Sequence, residues 1–168
     1  QINIVPVGGN TGLNGGTHSD NAISISMERM NNIHEIRVNS KIAIVDAGVI
    51  LANLHNVVNE NDLMFPLTFG ARGSATIGGV LSTNAGGSNV LKYGNTRDLV
   101  LGVEIVLPNG EIMNLMSELH KDNSGYCLRD LVIGAEGTLG IITQAVLKLF
   151  PRPKAYATGM VAVNSLDT

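Results

Sequence analysis

Glycine, hydroxyl and amide side chains recur together at three places in this chain. They read Gly8-Gly9-Asn10-Thr11-Gly12-Leu13, Gly73-Ser74-Ala75-Thr76-Ile77-Gly78-Gly79 and Asn84-Ala85-Gly86-Gly87. Backbone that must approach a ligand closely, or take a positive φ, needs glycine. Successive N–H groups in such turns form concavities that bind anions, and a helix starting after Ser74 would add its first amides to the second loop. Two such loops facing each other suit a pyrophosphate. The chain has 20 glycines in 168 residues, against an ordinary ~7 %. They gather at 8–16, 70–79, 86–94 and 134–140, between apolar segments, as loops meeting on one extended ligand would require. Any one of these loops is common, and unrelated tight turns would leave the same composition.

Other chemistries fit less well. A Gly-x-Gly-x-x-Gly dinucleotide fingerprint lies between a strand and a helix. Residues 134–140 have a different spacing and lead into a strand-like run. A phosphate loop ending in Gly-Lys-Ser/Thr is also missing, since Lys92 follows Leu91. His18, His34, His55 and His120 are too far apart for metal-ligand spacing, so no metal is expected and each reads as a surface, loop or packed residue. A net charge of -3 without a basic run argues against nucleic acid. The lone Cys127 cannot form an internal disulfide. That fits a reducing compartment, with a cytoplasmic location as the expectation, and it reads as a small buried residue.

The elements that would position these loops follow from periodicity. Apolar residues make up 44 % and charged residues 15 %, which suits a well-buried fold. No apolar run approaches the ~20 residues of a membrane span. Strands are expected over 2–7, 22–26, 42–46 and 141–150. A hairpin is expected from 100–107 to 111–115 around Pro108-Asn109-Gly110. Leu51, Leu54, His55 and Val58 share one helical face, with His55 packed on it. Short helices are expected over 76–85 and over 126–133, the second capped from residues 122–124 and ended by Gly134. Pro151-Arg152-Pro153 reads as a linker, because neither proline can donate to a ladder. Helices mixed with strands and hairpins make the fold class α+β.

The order and wording of these blocks resemble the FAD-binding domain of the vanillyl-alcohol oxidase and p-cresol methylhydroxylase family. The resembling blocks are PVGGNTGLNGG, FPLTFGARGSATIGG, STNAGGSNVLKYG, VLGVEIVLPNGE, KDNSGY, and GAEGTLGIIT followed by LKLFPRP. Within that family the wording is similar to D-2-hydroxyglutarate dehydrogenases and D-lactate dehydrogenases, with glycolate oxidase flavin subunits nearby.

The resemblance implies a two-lobed domain over 1–153 that lacks the strand–helix unit which normally precedes Pro6. Residues 154–168 would then be a linker into a substrate domain. It implies noncovalent FAD, with Gly8, Gly9, Asn10, Thr11, Gly12 and Leu13 cradling the pyrophosphate from one side. Gly73, Ser74, Ile77 and Gly78 would approach from the other. Pro66, Asn84, Gly86, Gly87, Tyr93 and Gly94 would lie near the ring system, while Glu136, Gly137 and Ile142 would line the rest of the cofactor. Val7 stands where many members carry Arg, and Ala135 where Ser is usual. No residue here is expected to be catalytic. The implied substrate is a small D-2-hydroxy acid (D-2-hydroxyglutarate, D-lactate or glycolate), with an electron acceptor that the sequence does not name. A sheet edge left open by the missing unit admits a homodimer. A flavin-binding subunit without catalysis of its own is the alternative.

Overall fold

The computed structural model describes residues 2–163 and residue 165. The longest apolar runs form the middle of a five-stranded antiparallel sheet. Its strands are β3 (Ile33–Arg37), β4 (Ile42–Asp46), β6 (Val100–Val106), β7 (Ile112–Leu115) and β8 (Ile141–Lys148), in the order β3-β4-β8-β6-β7. Strands β4, β6 and β8 are buried on both faces, which explains why they read as continuous rather than alternating hydrophobics. On one face Val45, Val103, Ala145 and Leu147 meet α1 (Leu51–Asn59) and α2 (Ile77–Ser82) in the main core. Ile77 and Leu81 of α2 are fully buried, each such side chain contributing about 1.5–3 kcal/mol. A smaller cluster of Ile42, Leu101 and Val146 covers the opposite face.

Strands β1 (Asn3–Val7) and β2 (Ala22–Ser26) form a separate two-stranded parallel sheet. Parallel neighbours need a long connection, and here that connection is the first glycine loop. The segment that follows β2 is tied to the end of β4 by Gly48 N–H to Met30 O at 2.7 Å. Only glycine fits at position 48, where a Cβ would lie 2.0 Å from the Met27 carbonyl oxygen.

Several expectations need correction. Strand β3 was not anticipated. A bulge between Ile33 and Glu35 breaks its alternation, so both Ile33 and Ile36 pack on the main core. The helix expected over 126–133 is only α4 (Leu128–Val132), with Cys127 at its N-cap. Asp122 accepts from Ser124 in a local turn instead of capping it. Cys127 is exposed rather than buried, because it precedes the helix instead of packing within it. Pro151 is not purely linker. It ends a two-residue pairing between β5 (Leu63–Met64) and β9 (Phe150–Pro151), a strand-end position that needs no N–H from proline. Beyond it, residues 154–163 carry no helix or strand. No helix among the described residues is long and apolar enough to cross a membrane.

Candidate functional site: a cleft between three loops

Residues 8–17 leave β1 and arch against residues 74–76, just before α2. A Cβ on Gly8 would lie 2.2 Å from Thr76 Oγ1, and one on Gly9 only 1.8 Å from the Ser74 carbonyl oxygen. Side chains at either position would push the two loops apart. A third loop returns from α4 and docks on the end of α2. Gly134 N–H donates to Leu81 O at 3.0 Å, and Glu136 N–H to Ser82 O at 2.9 Å. Glu136 and Gly137 both have positive φ, at 51° and 80°. A Cβ on Gly137 would sit 3.1 Å from Pro6 Cγ, across from the first loop.

The three loops enclose a cleft of about 510 Å³. Its wall takes Gly8, Gly9, Asn10, Thr11, Gly12 and Leu13 from the first loop, with Thr76, Gly78, Gly79, Ser82, Thr83 and Ala85 around α2. Glu136, Gly137 and Ile142 complete the third side. Met27, Phe69, Val80 and Ile141 give the cleft an apolar flank. Glu136 is the only ionisable side chain among these lining residues.

An anion here must be held by backbone N–H groups and hydroxyls. The N–H groups of residues 9–13, of Thr76 and of Gly79 donate to no described residue. Thr76 is 4 % exposed, and its Oγ1 is buried without a partner beside the Gly8 cradle. An orphaned buried hydroxyl costs about 1–3 kcal/mol, a cost that a bound phosphate would relieve. The loop geometry and free donors therefore fit a pyrophosphate.

The N-terminus of α2 contributes less than expected. Ile77 N–H is taken by Val49 O at 2.9 Å and Gly78 N–H by Ala47 O at 2.7 Å. These bonds fasten α2 to the chain between β4 and α1, leaving those two amides unavailable to a ligand.

The family model for the FAD binding domain matches residues 1–116. The chain belongs to this FAD binding domain family. Its cofactor is FAD. A D-2-hydroxyglutarate dehydrogenase of Xanthomonas citri pv. viticola is 42 % identical over 99 % of this chain and 35 % of its own length. The glycolate oxidase subunit GlcD of Bacillus subtilis is 39 % identical over 99 % of this chain and 36 % of its own length. Among solved structures, an alkyldihydroxyacetonephosphate synthase matches with a TM-score of 0.81 at 28 % identity, covering 92 % of this chain and 28 % of that one. The chain thus spans about a third of the length of these curated relatives.

Not every residue singled out for FAD reaches the cleft. Gly73 and Ser74 are exposed and outside the lining, Ser74 meeting Gly9 through its carbonyl. Ile77 is fully buried in the core. Pro66, Asn84, Gly86, Gly87, Tyr93 and Gly94 form a neighbouring group outside the lining. There Pro66 O accepts from Asn89 Nδ2 at 2.8 Å, and a Cβ on Gly87 would lie 2.5 Å from Thr68 O. Tyr93 packs edge-on against Phe150 with ring centroids 4.8 Å apart. Conversely, Thr76, Gly79, Ser82 and Thr83 line the cleft without having been singled out. They stand inside or next to the quoted blocks, so their position was readable while their orientation was not. Phe69 also lies within a quoted block, whereas Met27 carried no sequence signal.

Proposed function

We propose that this FAD domain serves an oxidoreductase that converts a D-2-hydroxy acid to its 2-keto acid. The observation that carries the reading is the cleft itself: free N–H groups, the orphaned Thr76 hydroxyl, and a sequence matching D-2-hydroxyglutarate dehydrogenase and a glycolate oxidase subunit along almost all of its length. When bound, FAD supplies the hydride acceptor. The amides of residues 9–13 and the Thr76 hydroxyl hold the phosphates, each as a donor to an anionic oxygen. Met27, Phe69, Val80, Ile141 and Ile142 form the apolar flank, which keeps water from the cofactor.

With Glu136 the only ionisable side chain on the lining, the domain contributes binding and orientation rather than acid–base chemistry. We assign the base that takes the substrate hydroxyl proton, and the cations that hold its carboxylate, to residues outside this chain. Electrons then pass to a separate acceptor. The test is anaerobic mixing of the purified full-length flavoprotein with D-2-hydroxyglutarate, D-lactate or glycolate, read at the flavin absorption band. Bleaching by at least one of the three is expected. Bleaching by an alcohol, phenol or sugar, with none of these acids active, would overturn the substrate assignment and leave the cofactor assignment standing.

A further inference from the structure

Two walls of the cleft meet along a seam in which one side chain spans the gap. We propose that Arg97 is the positioning residue that holds the third loop against the loop after α2, and so sets the width of the cleft. The proposal rests on the reading of this cleft as the FAD site.

Arg97 lies in a 3-10 turn, Thr96–Leu99, which docks on residues 84–85. Thr96 is fully buried and donates its hydroxyl to Ala85 O at 2.6 Å, while its N–H reaches the same oxygen at 3.2 Å. Arg97 N–H donates to Asn84 Oδ1 at 2.9 Å, which secures Asn84 at a φ of 46°. The turn is thus fixed to the wall that presents Ala85 to the cleft.

The guanidinium then crosses to the other wall. Nη2 donates to the Ile133 carbonyl at 2.6 Å. Ile133 is the C-cap of α4, where carbonyls lack helical partners and a cation is favoured. The next residue, Gly134, takes a φ of 90°. A Cβ there would lie 3.0 Å from Arg97 Nη2 and 3.3 Å from Asn84 Cβ, so the seam closes on Arg97 with no room for another side chain. Two and three residues further on are Glu136 and Gly137, part of the cleft wall. A shift at Ile133 therefore moves the third loop relative to the first.

A donor long enough to cross is needed for this span, because an apolar side chain would leave the Ile133 carbonyl without the Nη2 bond. Arg97 Nε is itself buried without a partner, so the guanidinium is held by the one bond from Nη2 to Ile133 O. Lysine keeps the charge but offers a point donor on a flexible stem.

The test measures FAD affinity of the full-length apoprotein by flavin fluorescence quenching, for wild type, Arg97→Ala and Arg97→Lys. Far-ultraviolet circular dichroism and apoprotein melting serve as controls. Arg97→Ala is expected to weaken FAD binding about tenfold or more while keeping the fold, Arg97→Lys less so. Added guanidinium ion, below denaturing concentration and against matched sodium chloride, is expected to restore affinity to Arg97→Ala alone. Affinity equal to wild type in Arg97→Ala, or loss of fold and FAD together without guanidinium rescue, would overturn the role of Arg97. Failure of the wild type to take up FAD would instead overturn the cofactor reading on which the proposal rests.

Discussion

Gly9 lies so close to Ser74 that a Cβ on it would sit 1.8 Å from the Ser74 carbonyl oxygen. The contact brings the first glycine loop onto the segment before α2, and it forms one edge of the cleft. Backbone, not a flexible side chain, would have to give way. Gly9→Ala is expected to force the loops apart, costing about 1–3 kcal/mol of stability and at least tenfold in FAD affinity. Isothermal titration of FAD, run beside a melting curve, checks this. Unchanged affinity would show that the loop can move without opening the cleft.

FAD is expected to be held noncovalently. The lining residues include no histidine, cysteine or tyrosine that could bond to the flavin ring, and Cys127 lines a separate depression with Leu101 and Lys148. Acid precipitation of the holoprotein should leave all the yellow colour in the supernatant. Flavin fluorescence travelling with the denatured chain on a gel would contradict it.

Much of this architecture was legible in the sequence for a physical reason. Strands such as β4 and β8 are buried on both faces and announce themselves as unbroken apolar runs, and α1 shows its face through Leu51, Leu54 and Val58. Strand β3 stayed hidden because its bulge places Ile33 and Ile36 on one side with His34 and Glu35 between them. Within the site, glycine loops could be located but not oriented. Gly8 and Gly137 line the cleft, whereas Gly87 stands outside it and lets Thr68 approach. Arg97 had no signal at all, since its role depends on a partner at Ile133 that only the folded chain brings near.

His55 should give the protein a pH-dependent melting temperature near neutrality. Burial of the ring lowers its pKa below the ordinary 6.5, outweighing the opposing effect of its bond to Leu67. Its Nε2 donates to the Leu67 carbonyl at 2.9 Å, so the neutral ring is already satisfied. The unfolded chain then binds a proton before the folded one as pH falls. Stability from this site is complete above 6.5 and is lost as pH drops toward the lower folded value. Melting scans at several pH values should show His55→Gln flatter than wild type through that window. Parallel curves would mean that His55 does not carry the effect.

Asp46 should set a second, more acidic limit. It is 3 % exposed, at the end of β4, and its carboxylate accepts from Asn32 N–H at 3.1 Å, Asn32 Nδ2 at 3.0 Å and His34 Nε2 at 2.7 Å. Burial opposes its ionisation, but the bonds from His34 and Asn32 prevail and hold the carboxyl below the ordinary 3.8. Here too the unfolded group takes up its proton first, so the stabilisation is present above 3.8 and disappears as pH falls through the lower folded value. The same contacts secure the turn that carries Met27 into the cleft wall, through Gly48 N–H to Met30 O. Asp46→Ala removes the charged acceptor that Asn32 and His34 share, which should cost about 1–3 kcal/mol at neutral pH. Urea titrations at pH 7 and at a pH near 3 should show the wild type losing stability between them, and the variant losing less. If the two proteins lose stability equally on acidification, the acid limit belongs to other carboxylates and Asp46 is only a structural anchor.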